Sequence, residues 1–391
     1  MKRGAVLRLK RGHDRARSHP WIFKGDVADV SDVEPGAAVT VVDSAGKFVG
    51  RGHYNPRPAL CCRILTWTDE PLDTALFARR ISAAVAFRSR GAGGPPALAR
   101  LVWSEADGLP GLIVDRYGPA LVLQCLTLGM VCARRAVETA LASVLGELPI
   151  FNKDEEGPAR LEGFEPAHGW SGSPGPATAE VEEDAVRFAV TFGAGHKTGL
   201  YLDQRENRVR VAGLARGRDV LDAFAYTGGF ACHALVAGAR LAVLIESGPE
   251  ALAGARQNLA LNGVAERAEI AAANVFDELR RLERAGARFG VIVLDPPHFA
   301  RSRTQLDAAV RGYKEINLRA MRLLERGGWL LTFSCSHHVA AAHFEEICRD
   351  AAADAGVRLR VSALLRQASD HPVVLTIPET RYLKGLLLEA V

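Results

Sequence analysis

From about residue 186 onward, short apolar runs alternate with longer stretches in which apolar and charged residues follow a helical period. The apolar runs are typical of buried strands, and the first four are DVLDAFA (219–225), LAVLIES (241–247), AEIAAANVF (268–276) and FGVIVLDPP (289–297). A long helix is predicted through LRAMRLLERGG to residue 328, then a strand at WLLTFSCS (329–336), a helix and two more strands. Repeated strand–helix units predict an α/β fold with a parallel, doubly wound, Rossmann-like sheet.

The first 185 residues lack this alternation. Residues 1–70 read as short strands separated by turns, which predicts a small β-barrel module. Residues 71–185 predict an α+β unit with helices at 73–90 and 132–146, two strands around a turn-rich loop within 101–126, and a loop over 153–180 that could include a strand edge. We therefore expect three domains, 1–70, 71–185 and 186–391, the last with the parallel sheet.

Composition narrows the class of protein. The chain has 391 residues, of which 48% are hydrophobic and 24% charged, and its apolar runs are short. These values are typical of globular proteins, and we expect no membrane segment and a cytoplasmic location. The seven cysteines form no C-x-x-C pair, which disfavours a disulfide framework or a zinc ribbon.

The net charge of +4 is concentrated near the N-terminus. Residues 1–70 hold 12 Lys or Arg and 8 Asp or Glu, which accounts for the whole excess. A basic end favours a polyanionic partner, although a solvated end without a partner is equally compatible with the charge alone. The candidate contact residues are Arg8, Lys10, Arg11, Arg15, Trp21 and Lys24.

The ends of the predicted strands carry a candidate cofactor site. Gly228-Gly229 closes the first strand, where paired glycines let the backbone approach a ligand, although G-x-G-x-x-G is not met. Glu246 follows Gly228 by 18 residues and ends the second strand, as a ribose-binding carboxylate would. Asn274, at the third strand end, could meet an adenine edge. Recognition of ribose and adenine without a phosphate cradle favours S-adenosylmethionine (SAM) over NAD or ATP.

The fourth strand ends at Asp295-Pro296-Pro297, a rigid loop that holds a carboxylate in place. The plain alternatives are a surface glutamate at 246 and a Pro-Pro strand stop at 296–297. The candidate cofactor-binding residues at the strand ends are Asp222, Phe224, Tyr226, Thr227, Gly228, Gly229, Glu246, Ser247, Asn274, Val275, Asp295 and Pro296.

Cys335 ends the fifth strand and is followed by His337 and His338. From the residues alone it could be a small hydrophobe closing the strand, a metal ligand or a nucleophile. The spacing C-x-H-H is not that of a zinc site, so no metal site is predicted.

Several motifs together resemble class I SAM-dependent methyltransferases, and in particular the bacterial 23S rRNA large-subunit methyltransferase I family of cytosine-5 methyltransferases. The similar motifs are HPWIF.G (19–25), SEADGLPGLIVDRYG (104–118), KTGLYLDQRENR (197–208), DAFAYTGGF (222–230), DPPHF (295–299), RGYKEIN (311–317), FSCS (333–336), DHPV (370–373) and YLKG (382–385). The resemblance covers nearly the whole chain.

This resemblance implies an N-terminal PUA domain that binds RNA, with 23S rRNA or a large-subunit assembly intermediate as partner. It implies Cys335 as the nucleophile and Asp295 as the group that orients and polarises the cytosine. It also implies that one segment covers the SAM pocket, through Lys197, Tyr201, Asp203, Gln204 and Arg205. A homodimer is left open.

The chain departs from the related patterns at two positions. Asn274 stands where the family commonly has Asp, and His298 stands where many RNA cytosine-5 methyltransferases have a second cysteine. The general base is not identified, and the candidates are His298, His337, His338 and His371.

Two other functions stay open at this stage. One is SAM-dependent methylation of an exocyclic amine such as guanine N2. The other is a non-catalytic RNA-binding factor without cofactor.

Overall fold

The computed structural model describes residues 5–12, 18–90, 94–193, 199–299 and 305–391. Arg15 and Lys197, two of the predicted site residues, lie outside these ranges. The chain divides into two units, one formed by Met1–Ala179, Thr191–Gly199 and Asp370–Thr380, and the other by Glu180–Val190, Leu200–Ser369 and Arg381–Val391. The predicted division at 70 and 185 stays a prediction.

The first unit begins with a six-stranded sheet in the order β2-β6-β5-β4-β1-β3. Its strands are β1 (Val6–Leu9), β2 (Trp21–Phe23), β3 (Val27–Val30), β4 (Ala38–Val42), β5 (Phe48–Tyr54) and β6 (Leu60–Thr66). Alternate side chains such as Leu7, Val39, Val41 and Ile64 are buried in one core, as the period of two in a strand requires.

The described residues of the same unit also form a five-stranded sheet in the order β11-β10-β9-β8-β7 and three α-helices. The elements are α1 (Thr74–Arg88), β7 (Leu98–Trp103), β8 (Leu112–Tyr117), β9 (Ala120–Cys125), α2 (Leu128–Leu145), β10 (Ile150–Lys153), α3 (Glu156–Glu162) and β11 (His168–Trp170). The expectation of two strands within 101–126 is wrong, because Gly118, at φ 59°, forms a tight turn that separates β8 from β9. The prediction of a loop with a strand edge over 153–180 missed the helix α3, while the short strand β11 is consistent with it.

The second unit contains a seven-stranded sheet in the order β16-β15-β14-β17-β18-β20-β19. The elements from here to the C-terminus are β12 (Thr178–Glu183), β13 (Val186–Thr191), α4 (Arg205–Ala215), β14 (Asp219–Ala223), α5 (Gly229–Val236), β15 (Leu241–Glu246), α6 (Pro249–Leu261), β16 (Ala268–Ala272), α7 (Val275–Arg284), β17 (Phe289–Leu294), α8 (Leu306–Leu323), β18 (Leu324–Ser334), α9 (Ala341–Ala355), β19 (Leu359–Leu365) and β20 (Lys384–Ala390). Strands β14 to β18 run parallel, and β20 is antiparallel to both of its neighbours. The predicted α/β fold is confirmed.

One helix boundary in this unit differs from the prediction. α8 ends at Leu323, so LERGG belongs to β18 and not to the helix. Leu324 pairs with Phe289 of β17, the register then shifts, and Gly327 takes φ 70° before Trp329 pairs with Val291. Pairing with a distant strand has therefore overridden the local helical pattern.

Because β14 lies between β15 and β17, the chain crosses from one side of β14 to the other after β16. Doubly wound sheets bind ligands at the carboxyl ends of the strands beside such a switch point. No helix within the described ranges is long and apolar enough to span a membrane.

Candidate cofactor and cysteine site

Four strand ends meet at the carboxyl edge of the seven-stranded sheet. The backbone N–H of Asp295 donates to the carbonyl of Ala223, at 3.4 Å, which joins the ends of β17 and β14. The N–H groups of Phe224 and Ala225 donate to Ile245 of β15, at 3.0 and 3.1 Å. The Sγ of Cys335, just after β18, lies 3.8 Å from the carbonyl oxygen of Pro296. The residues predicted at these strand ends are therefore brought together.

The turn after β14 has an unusual backbone. Phe224 and Tyr226 have φ angles of 65° and 48°, a region that side chains other than glycine seldom adopt. Gly228 also has a positive φ, 77°, and a Cβ there would lie 3.1 Å from Leu244 Cδ2. Strained residues of this kind cluster at binding sites, where the surrounding fold holds them. This turn thus presents its backbone closely to whatever lies over the sheet edge.

Glu246, at the end of β15, is held by three backbone donors. Its Oε2 accepts from the N–H of Tyr226 at 2.9 Å, and its Oε1 accepts from Ser247 and Gly248 at 2.7 and 2.8 Å. A carboxylate offers about four lone-pair positions, so capacity is left for ribose hydroxyls. The side chain is therefore oriented before any ligand arrives.

Asp222 is a buried carboxyl at the end of β14. Its Oδ2 accepts from the N–H of Ala231 at 3.0 Å, and its Oδ1 has no hydrogen-bond partner within the described part of the chain. Burial raises the pKa of Asp222 to about 7; the bond from Ala231 opposes the rise, and the carboxylates of Asp295 and Glu246 add to it. The three neighbouring carboxyl groups of Asp222, Asp295 and Glu246 favour the binding of a cation. SAM carries a sulfonium and an ammonium group, so these residues fit SAM.

The raised pKa of Asp222 gives a pH-dependent prediction for Asp222→Asn. The folded protein holds this proton more tightly than the unfolded chain, so stability falls as the pH rises from about 4 to about 7. Asparagine keeps an acceptor for Ala231 and cannot ionise. The difference in melting temperature, variant minus wild type, should be about 5 °C larger at pH 8 than at pH 5. Scanning calorimetry without ligand measures it.

The matched control is Asp219→Asn on the same strand. Asp219 forms an ion pair with the exposed Arg240, and its melting difference should vary little over this pH range. A pH-independent difference for Asp222→Asn would contradict the assignment of the raised pKa.

The predicted segment at 201–205 begins beside the strand ends. Tyr201 packs its ring edge against Tyr226 at a centroid distance of 5.0 Å. Burial raises the pKa of Tyr201, and so do the nearby groups Tyr226, Asp295, Asp203 and Cys335. Tyr201 is thus close to Cys335 and to the turn after β14 at residues 224–228, which we call the cofactor turn. Asp203 and Gln204 are buried, and Asp203 accepts a hydrogen bond from the hydroxyl of Tyr382.

Sequence reasoning missed a buried ion-pair cluster next to this segment. Glu183 of β12 accepts from Arg208 Nε and Nη2 of α4, at 2.6 and 2.8 Å, and His233 Nε2 of α5 lies 3.0 Å from its Oε1. Burial alone would raise the pKa of Glu183, but Arg208 and His233 bring it down to about 2. Arg208 also donates to the carbonyl of Tyr201, at 2.9 Å. The cluster therefore ties a hairpin, two helices and the Tyr201 segment together.

Hydrogen bonds to a tyrosine of α8 hold the loop that carries Cys335. The Tyr313 hydroxyl, from α8, lies 3.0 Å from the hydroxyl oxygens of both Ser334 and Ser336. Both serines are buried, whereas Cys335 between them is half-buried. This contrast favours a thiol presented toward the site over an inert core thiol.

Two of the histidine candidates lie on the loops that follow β17 and β18. The rings of His298 and His337 stack at a centroid distance of 6.4 Å, on the loops that follow β17 and β18. His371 folds within the first unit, where its Nδ1 lies 2.7 Å from Asp370 Oδ1. The described residues contain no group of three or more His, Cys, Asp and Glu side chains that could hold a metal ion.

Asn274 has a structural role that the sequence left open. It caps α7, and its side-chain oxygen accepts from the N–H of Phe276 at 2.9 Å. Val275 is buried behind it. An adenine edge at this strand end could therefore bond only to those groups of Asn274 that the cap does not already use.

The predicted nucleic-acid contacts lie in the first unit. The Nζ of Lys10 donates to Gly25 O at 2.8 Å, and that of Lys24 donates to Arg57 O at 3.1 Å. Arg8 Nε lies 3.4 Å from Asp29 Oδ1, and Arg11 is exposed. The indole N–H of Trp21 donates to Glu105 at 2.8 Å. These residues stay a predicted interface.

Comparison with known families gives two matches. Residues 164–374 match the S-adenosylmethionine-dependent methyltransferase family model, and residues 1–67 match that of a PUA-like domain.

Two curated relatives are similar over almost their whole length. A Klebsiella pneumoniae protein is 40% identical over 386 residues, covering 97% of this chain and 96% of its own. A Shigella flexneri protein is 40% identical over 388 residues, covering 97% and 98%. Both are named ribosomal RNA large subunit methyltransferase I.

Solved structures support the fold. A methyltransferase in complex with SAH (S-adenosylhomocysteine) aligns with a TM-score of 0.86 at 18% identity, over 98% of this chain and 99% of its own. A SAM-dependent methyltransferase from Streptococcus mutans aligns with a TM-score of 0.84 at 18% identity, over 98% and 100%.

Proposed function

Because the chain belongs to the ribosomal RNA large subunit methyltransferase I family, we propose that it methylates carbon 5 of a cytosine in 23S rRNA through a covalent bond from Cys335. Family membership makes it a SAM-dependent methyltransferase of large-subunit ribosomal RNA. The base, the atom and the adduct are the proposal. One observation supports it above others: a half-buried thiol lies 3.8 Å from the carbonyl of Pro296, at the sheet edge where the cofactor turn also lies.

The chemistry requires such a thiol because carbon 5 of cytosine is a poor nucleophile. Attack of the Cys335 thiolate on carbon 6 forms a C–S bond and moves the electrons of the 5,6 double bond toward carbon 5. When bound, SAM supplies an electrophilic methyl group for that carbon. A base then removes the proton from carbon 5, the double bond re-forms, and the thiolate leaves.

The other residues at the sheet edge have roles that follow from their positions. Asp295, half-buried between β14 and β18, would bond the cytosine amino group or protonated N3 and so withdraw electrons from the ring. Glu246 would accept from the ribose hydroxyls of SAM, and the turn at Gly228 would contact its methionyl part. The base that takes the carbon-5 proton would be His298 or His337, whose rings lie on the adjoining loops.

The PUA-like match of residues 1–67 supports an RNA-binding role for the N-terminal basic residues. We propose that Arg8, Lys10, Arg11 and Lys24 contact phosphates of 23S rRNA or of an assembly intermediate. The cytosine must leave its stack to reach a thiol at a sheet edge, so an unpaired or flipped base is expected. A cytoplasmic location and a homodimer stay predictions.

The identity of the product tests the proposal directly. Unmethylated 23S rRNA is incubated with the enzyme and SAM carrying an isotopically labelled methyl group, digested to nucleosides and analysed by mass spectrometry. We expect label in 5-methylcytidine at about one per rRNA. Already methylated rRNA from wild-type cells is the control and should take up none. Label in N2-methylguanosine would refute the carbon-5 assignment and support the amine alternative.

A further inference from the structure

Lys384 reaches the Cys335 loop from the strand next to it. It begins β20, which is antiparallel to β18, and its Cα is paired with that of Ser334. Its Nζ donates to the carbonyl of Ser336, at 2.8 Å. Cys335 lies between these two serines, so the ammonium group approaches the cysteine from one side while Tyr313 holds the serine hydroxyls on another.

Lys384 and Cys335 are electrostatically coupled. Burial lowers the pKa of Lys384, while the negative charge of a Cys335 thiolate raises it. Coupling of this kind is reciprocal, because one interaction free energy links the two charged forms. An ammonium group stabilised by the thiolate must therefore stabilise that thiolate equally.

The other titratable groups around the pair lie on one helix and three loop segments. They are His337 and His338 after β18, Asp295 after β17, Tyr201 ahead of α4, and Tyr313 on α8. The negative charge of Asp295 opposes a thiolate nearby. Burial lowers the pKa of His337 and the charge of Lys384 lowers it further, which disfavours a second cation there. A thiolate beside Asp295 therefore needs a compensating positive charge, and Lys384 supplies one.

We propose that Lys384 stabilises the Cys335 thiolate by charge and thereby sets the pH range in which this cysteine is nucleophilic. The catalytic meaning rests on the proposed function, but the stabilisation itself can be measured without RNA. Lys384 acts through Cys335 and is a positioning residue in this scheme. A lysine beside a cysteine favours the thiolate over the thiol, and proteins use this arrangement to activate thiols.

The test measures the alkylation of Cys335 by iodoacetamide as a function of pH, in the full chain without RNA. The thiol proton goes to solvent, the thiolate sulfur bonds to the acetamide carbon, and iodide leaves. Mass spectrometry of the Cys335 peptide gives its rate, and the peptide with Cys132, exposed on α2 of the first unit, serves as an internal reference. Lys384→Met removes the charge, Lys384→Gln removes it but retains a donor for Ser336, and Lys384→Arg retains both.

We expect the midpoint of the rate profile to rise by about one pH unit in Lys384→Met and Lys384→Gln, a roughly tenfold slower reaction below the midpoint. Lys384→Arg should stay near wild type, and the Cys132 rate should not change. Calorimetric titration with SAM checks that each variant is folded, and Lys384→Gln replaces Lys384→Met if the latter does not fold.

Two results would overturn the proposal. One is an unchanged midpoint in both neutral variants. The other is an increase that Lys384→Arg shows equally, because charge would then not be its cause. These results are separable from the product assay: a raised midpoint with no 5-methylcytidine formed would refute only the proposed function, and an unchanged midpoint with 5-methylcytidine formed only the role of Lys384.

Discussion

Cys335→Ala is expected to lower methyl transfer to 23S rRNA by at least about 10³-fold while leaving SAM affinity within about twofold. Without the thiolate, carbon 5 keeps its low nucleophilicity, and no neighbouring group replaces the C–S bond. The cofactor turn and Glu246 lie on β14 and β15, two and three strands from β18 in the sheet order, so their geometry should survive. Radiometric methyl transfer and calorimetric SAM titration measure the two quantities separately.

The control for this variant is Cys132→Ala, which removes an exposed thiol from the first unit and should retain full activity. RNA with 5-fluorocytosine at the target adds a positive test. Fluorine cannot be removed by a base as a proton is, so elimination stops and the enzyme should stay covalently joined to the RNA. A denaturing gel should show this adduct for the wild type and not for Cys335→Ala. An alanine variant with more than a tenth of wild-type activity would refute the covalent route.

The strand ends of the site could be predicted from sequence because they follow a local rule. Largely apolar runs located β14, β15 and β17 to within three residues. The start of β18 could not be found in this way, since Leu324 is extended only because it pairs with Phe289, 35 residues earlier.

The same distinction between local pattern and distant pairing separates the site residues that could be predicted from those that could not. Gly228, Glu246 and Cys335 could be placed at strand ends from the sequence, because parallel strands end at one edge of a sheet, whereas the nucleophilic role of Cys335 rests on the family resemblance. Glu183 and Arg208 were not, because their pairing joins a hairpin to a helix and no spacing pattern announces it. The proposed role of Lys384 was likewise hidden, since a lysine at the start of an edge-proximal strand looks like a solvated residue until the antiparallel register with β18 is known.

Arg208→Met is expected to destabilise the second unit by about 3–5 kcal/mol, because it leaves the buried Glu183 carboxylate without its main counter-ion. His233 alone would remain beside it. The Tyr201 segment would also lose the hydrogen bond from Arg208. We expect the melting temperature at pH 7, measured by calorimetry, to fall by about 10 °C for a unit of this size.

A double variant separates the buried charge from the packing of these side chains. Glu183→Leu combined with Arg208→Met removes both charges, and it should recover part of the stability lost by Arg208→Met alone, since no isolated carboxylate stays buried. Glu180→Gln is the matched control on the same strand, because Glu180 pairs with Arg187 where both side chains are half exposed, at 52% and 50%. This change should lower the free energy of unfolding by less than about 1 kcal/mol.

The pKa of Glu183, held near 2, makes the contribution of this ion pair depend on pH. The pair stabilises the fold above about pH 4.5 and loses that contribution as the pH falls toward 2. The difference between wild type and Arg208→Met should therefore be largest near neutral pH and shrink on acidification. A difference that stays constant with pH would show that packing of the arginine stem, and not its charge, holds this part of the fold together.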